Sequence, residues 1–118
     1  MNSEQLEKAL RDLPPQSLIT EIPEIQNAIA HLLTSNQEMR EFDPEKKDPD
    51  FTQAIKENLE LIKRKEEQID ITLKVIREKL GEAAWREMGS NVREFRQIHS
   101  KQLEEQLQKQ QEEEGIFL

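Results

Sequence analysis

The side chains best suited to chemistry are few in this chain, and their spacing suits recognition better than catalysis. There are two histidines and no cysteine, which excludes a thiolate nucleophile, a disulfide and a Cys-ligated zinc site. Neither His31 nor His99 has a glutamate three or a histidine four residues away, the spacing by which a helix face holds a metal. The acidic pairs Glu66-Glu67 and Glu104-Glu105 are sequence neighbours, which a helix turns to different sides, so neither makes a carboxylate dyad. Three glycines build no phosphate-cradling loop. The expectation is a protein that is not an enzyme and uses no cofactor, metal or small-molecule substrate.

The candidate partner-binding residues are of three kinds. Asn36 and Glu66 are polar interruptions of otherwise apolar stripes. Leu61, Ile71 and Val75 are aliphatic but lie off the stripe of their own helix. Ile116, Phe117 and Leu118 form an apolar end to a polar stretch.

Composition sets the class of protein that presents them. Acidic residues number 25 against 17 basic, a net charge of −8, with 36% charged, 34% hydrophobic and 4% aromatic residues. An acidic surface repels phosphate backbones, so no nucleic-acid partner is expected. No apolar run approaches bilayer length and Met1-Asn2-Ser3-Glu4 does not resemble a secretory leader, so no membrane partner is expected either. The cytoplasm is the expected compartment, with the nucleus as a second. Abundant Glu, Lys, Gln and Leu and the absence of tyrosine favour helix over sheet.

Residues 1–16 read as a lead-in helix, with Ser3 as cap and Leu6, Leu10 and Leu13 on one side, stopped at Pro14-Pro15. Residues 17–80 read as an antiparallel coiled-coil hairpin. Its first seam is Leu18, Ile22, Ile25, Ile29, Leu32 and Met39, skipping Asn36; its second is Ile55, Leu59, Ile62, Ile69, Leu73, Ile76, Leu80 and Ala83, skipping Glu66. Pro23 favours a main helix that starts near Ile22, after a separate turn. Residues 43–50, with two prolines and no aliphatic side chain, form the loop, and either Asp48-Pro49 or Asp50 with Gln53 three residues on supplies the next helix start. Folding there sets Met39 against Ile55, Leu32 against Ile62, Ile25 against Ile69 and Leu18 against Ile76. Gly81 and Gly89 end or bend the second arm. Residues 81–107 then carry a C-terminal helix, with Asn91 as a cap and Val92, Phe95, Ile98, Leu103 and Leu107 on it, and 108–118 are a frayed polar leash with the apolar terminus. The fold class is all-α.

Two helices cannot close a core, so the flank bearing Leu61, Ile71 and Val75 must be covered. Two covers are open at this point: the lead-in and C-terminal helices of the chain itself, or a helix of another protein. Asn36 and Glu66 are correspondingly either register-setting positions or a polar contact for a partner.

The run Glu24 to Asn36, holding His31-Leu32 and Ser35-Asn36, and the opening of the second arm around Glu57-Asn58, followed by a tail with Ile116-Phe117, resembles the fungal translation-machinery-associated family that includes the ATPase-dedicated proteasome assembly chaperone. The resemblance covers about residues 17–80 plus the tail. It implies a stress-linked chaperone that engages the helical amino-terminal segment of a proteasome regulatory-particle ATPase subunit, promotes pairing during base assembly, and is a monomer or weak dimer. The tail also resembles the hydrophobic-tyrosine-any ending by which ATPase subunits dock onto the proteolytic core, with Phe117 in place of the tyrosine. The alternative is a structural coiled-coil subunit, a tether or scaffold in a stable complex.

Overall fold

A computed structural model describes the backbone of residues 2–115 and the side chains of residues 2–106 and 108. Within it the chain forms four helices and no strand. Helix α1 spans Ser3–Arg11, α2 Pro15–Phe42, α3 Pro49–Leu80 and α4 Glu82–Gly115. The long dimension of the molecule, 49 Å, matches the length of its two longest helices, α3 with 32 residues and α4 with 34, at 1.5 Å per residue.

Local sequence fixes most helix ends. Asn2, not Ser3, caps α1: its side chain accepts from the Gln5 N–H while the Gln5 side chain accepts from the Asn2 N–H, a complete capping box. The Pro14-Pro15 pair both ends α1 and starts α2, because Pro15 sits in the first turn, where a missing N–H costs nothing. The expected separate turn before Ile22 is therefore absent. Pro23 lies inside α2 on an exposed face, where water can take the carbonyl that the proline leaves without a donor. Asp48 caps α3, its carboxylate accepting from the Asp50 N–H, with Pro49 in the first turn. Asp43 closes the loop from the other side by accepting from the backbone N–H groups of Lys47 and Asp48.

The α2–α3 hairpin reverses at residues 43–48, as the two seams require. Leu18, Ile22, Ile25 and Ile29 of α2 are buried with Ile55, Leu59, Ile62, Ile69 and Ile76 of α3. The offset that sets Met39 against Ile55 also sets Asn36 against Asn58, and these two side chains hydrogen-bond at 2.9 Å. The first seam drifts one position late in α2: Leu33 is fully buried where Leu32 was expected, and Leu32 is only half-buried. A straight helix rotates relative to a strict heptad, and a third helix on that side rewards the rotation.

That third helix is α4. Gly81, at φ +93° and ψ 178°, ends α3 and is the sole residue between α3 and α4. This backbone conformation is open essentially to glycine alone. The break falls there and nowhere else in the segment: α4 runs through Gly89 and Asn91 without interruption, so the expected cap at Asn91 is absent. Packing of Met88 and Val92, both buried, offsets the roughly 1 kcal/mol that Gly89 costs a helix. α4 runs antiparallel to α3 and covers the α2–α3 groove. α1 lies on another side of α3 and runs parallel to it, as the successive ion pairs Glu7–Lys74 (2.8 Å) and Arg11–Glu78 (3.0 Å) require. The Lys79 ammonium donates to the carbonyls of Arg11 and Leu13 and pins the end of α1. α3 is thus the axis of the molecule, touching each of the other three helices.

Candidate client-docking surface

The expected partner-binding residues that are described separate to two sides of α3: Leu61 and Ile71 toward α1, and Glu66, with Asn36 of α2, toward α4. On the α1 side, Leu61 is 37% exposed and Ile71 half-buried. With Leu6 of α1 they floor a shallow groove of about 300 Å³ whose rim includes Arg64, Lys65, Glu67 and Gln68. Val75, expected to project outward with them, is fully buried. The cause is α1, which lies over the end of this flank, where Leu10 is buried and Leu13 half-buried, and Val75 joins their core cluster. The lead-in helix therefore covers the lower part of the flank and leaves the Leu61–Ile71 part open.

Electrostatics hold α1 in that place. Glu7 receives a hydrogen bond from Lys74, which together with the charges of Lys74 and Arg11 outweighs desolvation and holds its carboxyl below the usual 4.5. Arg11, bridging Glu78 and Glu7, is correspondingly raised, its hydrogen bond to Glu78 contributing most.

Asn36 and Glu66 lie on the α4 side, and their polar groups are used internally. Asn36 is fully buried; its Nδ2 donates to Gln106 Oε1 at 3.1 Å, and Gln106 Nε2 donates to the Leu33 carbonyl at 3.1 Å. Glu66 accepts from Arg96 Nε at 2.8 Å, and Arg96 Nη2 also reaches Asp70 at 2.9 Å. Burial opposes the Arg96 charge, but the hydrogen bond to Asp70 and the negative charge of Glu66 prevail, and its pKa is raised. Both polar interruptions thus seat α4. Ile116, Phe117 and Leu118 lie outside the described residues.

Sequence reading missed Leu6, Arg64 and Lys65 as groove residues and Arg96 and Gln106 as the partners of Glu66 and Asn36. A signal for the latter pair exists: reflecting α3 onto α4 about Gly81 brings Glu66 opposite Arg96. The remaining large apolar side chains exposed among the described residues, Ile19 (36%) on α2, Phe42 (79%) at the hairpin tip and Ile98 (69%) on α4, do not line this groove. Phe42 meets Phe51 edge-to-face at 5.4 Å. His31 is exposed on α2, and His99 packs on Phe95 with ring centres 4.4 Å apart. Among the described residues no group of three or more acidic or histidine side chains converges as a metal site. No described helix is long and apolar enough to cross a membrane.

The groove thus combines an aliphatic floor, Leu6, Leu61 and Ile71, with a rim of mixed charge, Arg64, Lys65 and Glu67. No curated protein and no solved structure matches the chain significantly. A family model does match: the TMA17 helical domain, over residues 2–83, which comprise α1, α2, α3 and the first two residues of α4. Matched over more than half its length, the chain belongs to the TMA17 family, whose namesake is the ATPase-dedicated proteasome assembly chaperone, and a general role in proteasome assembly fits that membership.

Proposed function

We propose that this chain is a non-catalytic assembly chaperone that binds the helical amino-terminal segment of one ATPase subunit of the proteasome regulatory particle and promotes that subunit's pairing during base assembly. The observation that carries the reading is the coincidence of the family match with the helices that build the groove: Leu6 on α1 and Leu61, Arg64, Lys65 and Ile71 on α3 all lie within residues 2–83.

The groove suits a transient task. It is shallow, with an aliphatic floor and a charged rim, so a helix docked in it is shielded from aggregation yet released when its proper neighbour offers a larger contact. Capture and release need no catalytic group. The hairpin seams are satisfied within the chain, which favours this reading over a permanent coiled-coil tether, whose seams would wait for another chain. The proposed sites of action are the cytoplasm and the nucleus.

The test is capture of purified ATPase subunits, one at a time, by the full chain. Leu61→Asp should leave helicity unchanged by circular dichroism and abolish capture of the one subunit that the native chain retains, while Ile98→Asp on α4 should capture it normally. Normal capture by Leu61→Asp removes the groove as the docking face, and capture of no subunit by the native chain removes the function. Deleting residues 116–118 in parallel measures what the apolar terminus adds.

A further inference from the structure

The most exposed large apolar side chain among the described residues stands at the tip of the hairpin. Phe42, the last residue of α2, is 79% exposed, and its ring meets that of Phe51 in the first turn of α3 edge-to-face at 5.4 Å. With Asp43, Lys47, Asp48 and Pro49 the two rings line an open cleft of about 380 Å³. The charged groups of the loop are largely turned on one another. Asp43 accepts from the backbone N–H groups of Lys47 and Asp48, Asp48 accepts from that of Asp50, and Lys47 pairs with Glu45 at 2.7 Å. The rings are thus the part of the tip still open to water, and an aromatic pair gains by burial.

The path of α4 leads to this tip from the side. Its Gln106 stands at Asn36, 70 residues earlier in the chain, and His99 and Leu103 border a cleft with Ile29 and Leu33 at the same offset. Continued at that offset, Phe42 is level with residue 112 of α4, and Gly115 is level with Glu45 in the loop. The contact of Arg96 with Glu66 gives the same answer along the antiparallel α3, where Gly115 comes level with Lys47. Ile116, Phe117 and Leu118 follow Gly115 directly. Three extended residues reach about 10 Å, close to the distance between packed helix axes, so this apolar segment is delivered within reach of the Phe42–Phe51 pair. Arg40 of α2, whose Nε and Nη2 are buried without a hydrogen-bond partner, sets a positive charge near the level at which Glu112, Glu113 and Glu114 arrive. It counters their repulsion by the acidic loop.

We propose that Ile116-Phe117-Leu118 folds over the hairpin tip and packs on Phe42 and Phe51, latching the far end of α4 to the loop as Gly81 links its near end to α3. The occupant is this chain's own segment and not a second copy. Two rings offer far less than the roughly 1,000 Å² that a stable dimer needs, whereas a tethered segment acts at an effective concentration on the order of millimolar. The segment on this account serves the fold and not a partner, and the proposal stands whether or not the chain captures an ATPase subunit.

The test is nuclear magnetic resonance of the full chain with ring-labelled phenylalanine. Four phenylalanines and no tyrosine keep the aromatic spectrum simple. The expected result is a nuclear Overhauser effect between the ring of Phe117 and that of Phe42 or Phe51. Joint replacement of Ile116, Phe117 and Leu118 by serine should shift the Phe42 and Phe51 resonances and leave Phe95 unmoved. It should also speed amide exchange at residues 108–115 roughly two- to tenfold, the range that one aromatic contact provides. Phe42→Ser should speed the same amides equally. Both changes lie outside the buried core, so helicity by circular dichroism should stay as in the native chain through residue 106. No Overhauser effect in the free chain, or unmoved Phe42 and Phe51 resonances in the serine variant, overturns the proposal, including the case in which those rings shift only when a partner protein is added. So does an effect seen only between differently labelled copies in a mixed sample, because the occupant is then a second copy.

Discussion

Replacing Asn36 by alanine probes the contact on which the seating of α4 depends. The side chain is fully buried, accepts from Asn58 at 2.9 Å and donates to Gln106 at 3.1 Å. Each of these bonds contributes about 1 kcal/mol net, and stranding the buried Gln106 carbonyl oxygen without a donor costs about 1–2 kcal/mol more. The expected loss is therefore about 3–4 kcal/mol, a large share of the stability of a domain this small. Gln106→Ala should cost a similar amount, because it also frees the Leu33 carbonyl. The two changes remove one shared interaction, so the double variant should fall short of the sum by about 1–2 kcal/mol. Joint replacement of both by leucine should recover part of the loss, since the Asn36 and Gln106 amides are removed together while Asn58 still loses its acceptor. Urea denaturation reads these energies through far-UV circular dichroism and through the fluorescence of Trp85, the single tryptophan, which sits near the start of α4 with the Arg77 guanidinium 4.4 Å from its ring centre. A loss below about 0.5 kcal/mol for Asn36→Ala, the range of an ordinary surface change, or strict additivity of the two alanines, would refute the seating of α4 over Asn36.

Three further outcomes follow from particular contacts. Val75→Asp places an unpaired carboxylate among fully buried aliphatic groups and should cost at least about 3 kcal/mol in a thermal melt, whereas Leu61→Asp at the groove should cost under about 1 kcal/mol. Gly81→Ala forces a side chain into a backbone region that only glycine occupies freely and should cost about 1–3 kcal/mol by urea denaturation. The third concerns pH. Because Glu7 titrates below its usual 4.5 in the folded chain, its contribution is present above that value and is lost as the pH falls through the lowered one. The native chain should exceed Glu7→Gln in stability at neutral pH, and the gap should close in melts recorded progressively below pH 4.5.

The parts of this fold that are legible in sequence are those fixed by near neighbours along the chain. Apolar spacing in two runs with a proline-rich break between them dictates a hairpin, and its register needs only the position of the break. Asp48-Pro49 marks a helix start for the same local reason. Tertiary context decided the rest. Pro14-Pro15 reads as a stop for the helix before it, yet Pro15 equally starts the helix after it. Gly89 reads as a break, yet buried Met88 and Val92 on either side carry the helix through. Leu32 and Leu33 are neighbours of equal hydrophobicity, and only α4 on one side selects Leu33 for the core. The candidate site was half legible. Leu61 and Ile71 stand out as aliphatic residues off the seam, but spacing cannot distinguish them from Val75, which differs only in lying beneath α1. Asn36 and Glu66 are visible as interruptions, while the Gln106 and Arg96 that answer them lie 70 and 30 residues away.

The central claim, that the groove between α1 and α3 is where a client helix docks, is tested most directly by hydroxyl-radical footprinting of the full chain alone and bound to the ATPase subunit it captures. The docking groove predicts strong protection of Leu6, Leu61 and Ile71 in the complex, with Phe42 and Ile98 oxidised as in the free chain. Protection at Phe42 or Ile98 with Leu61 and Ile71 unchanged would contradict it.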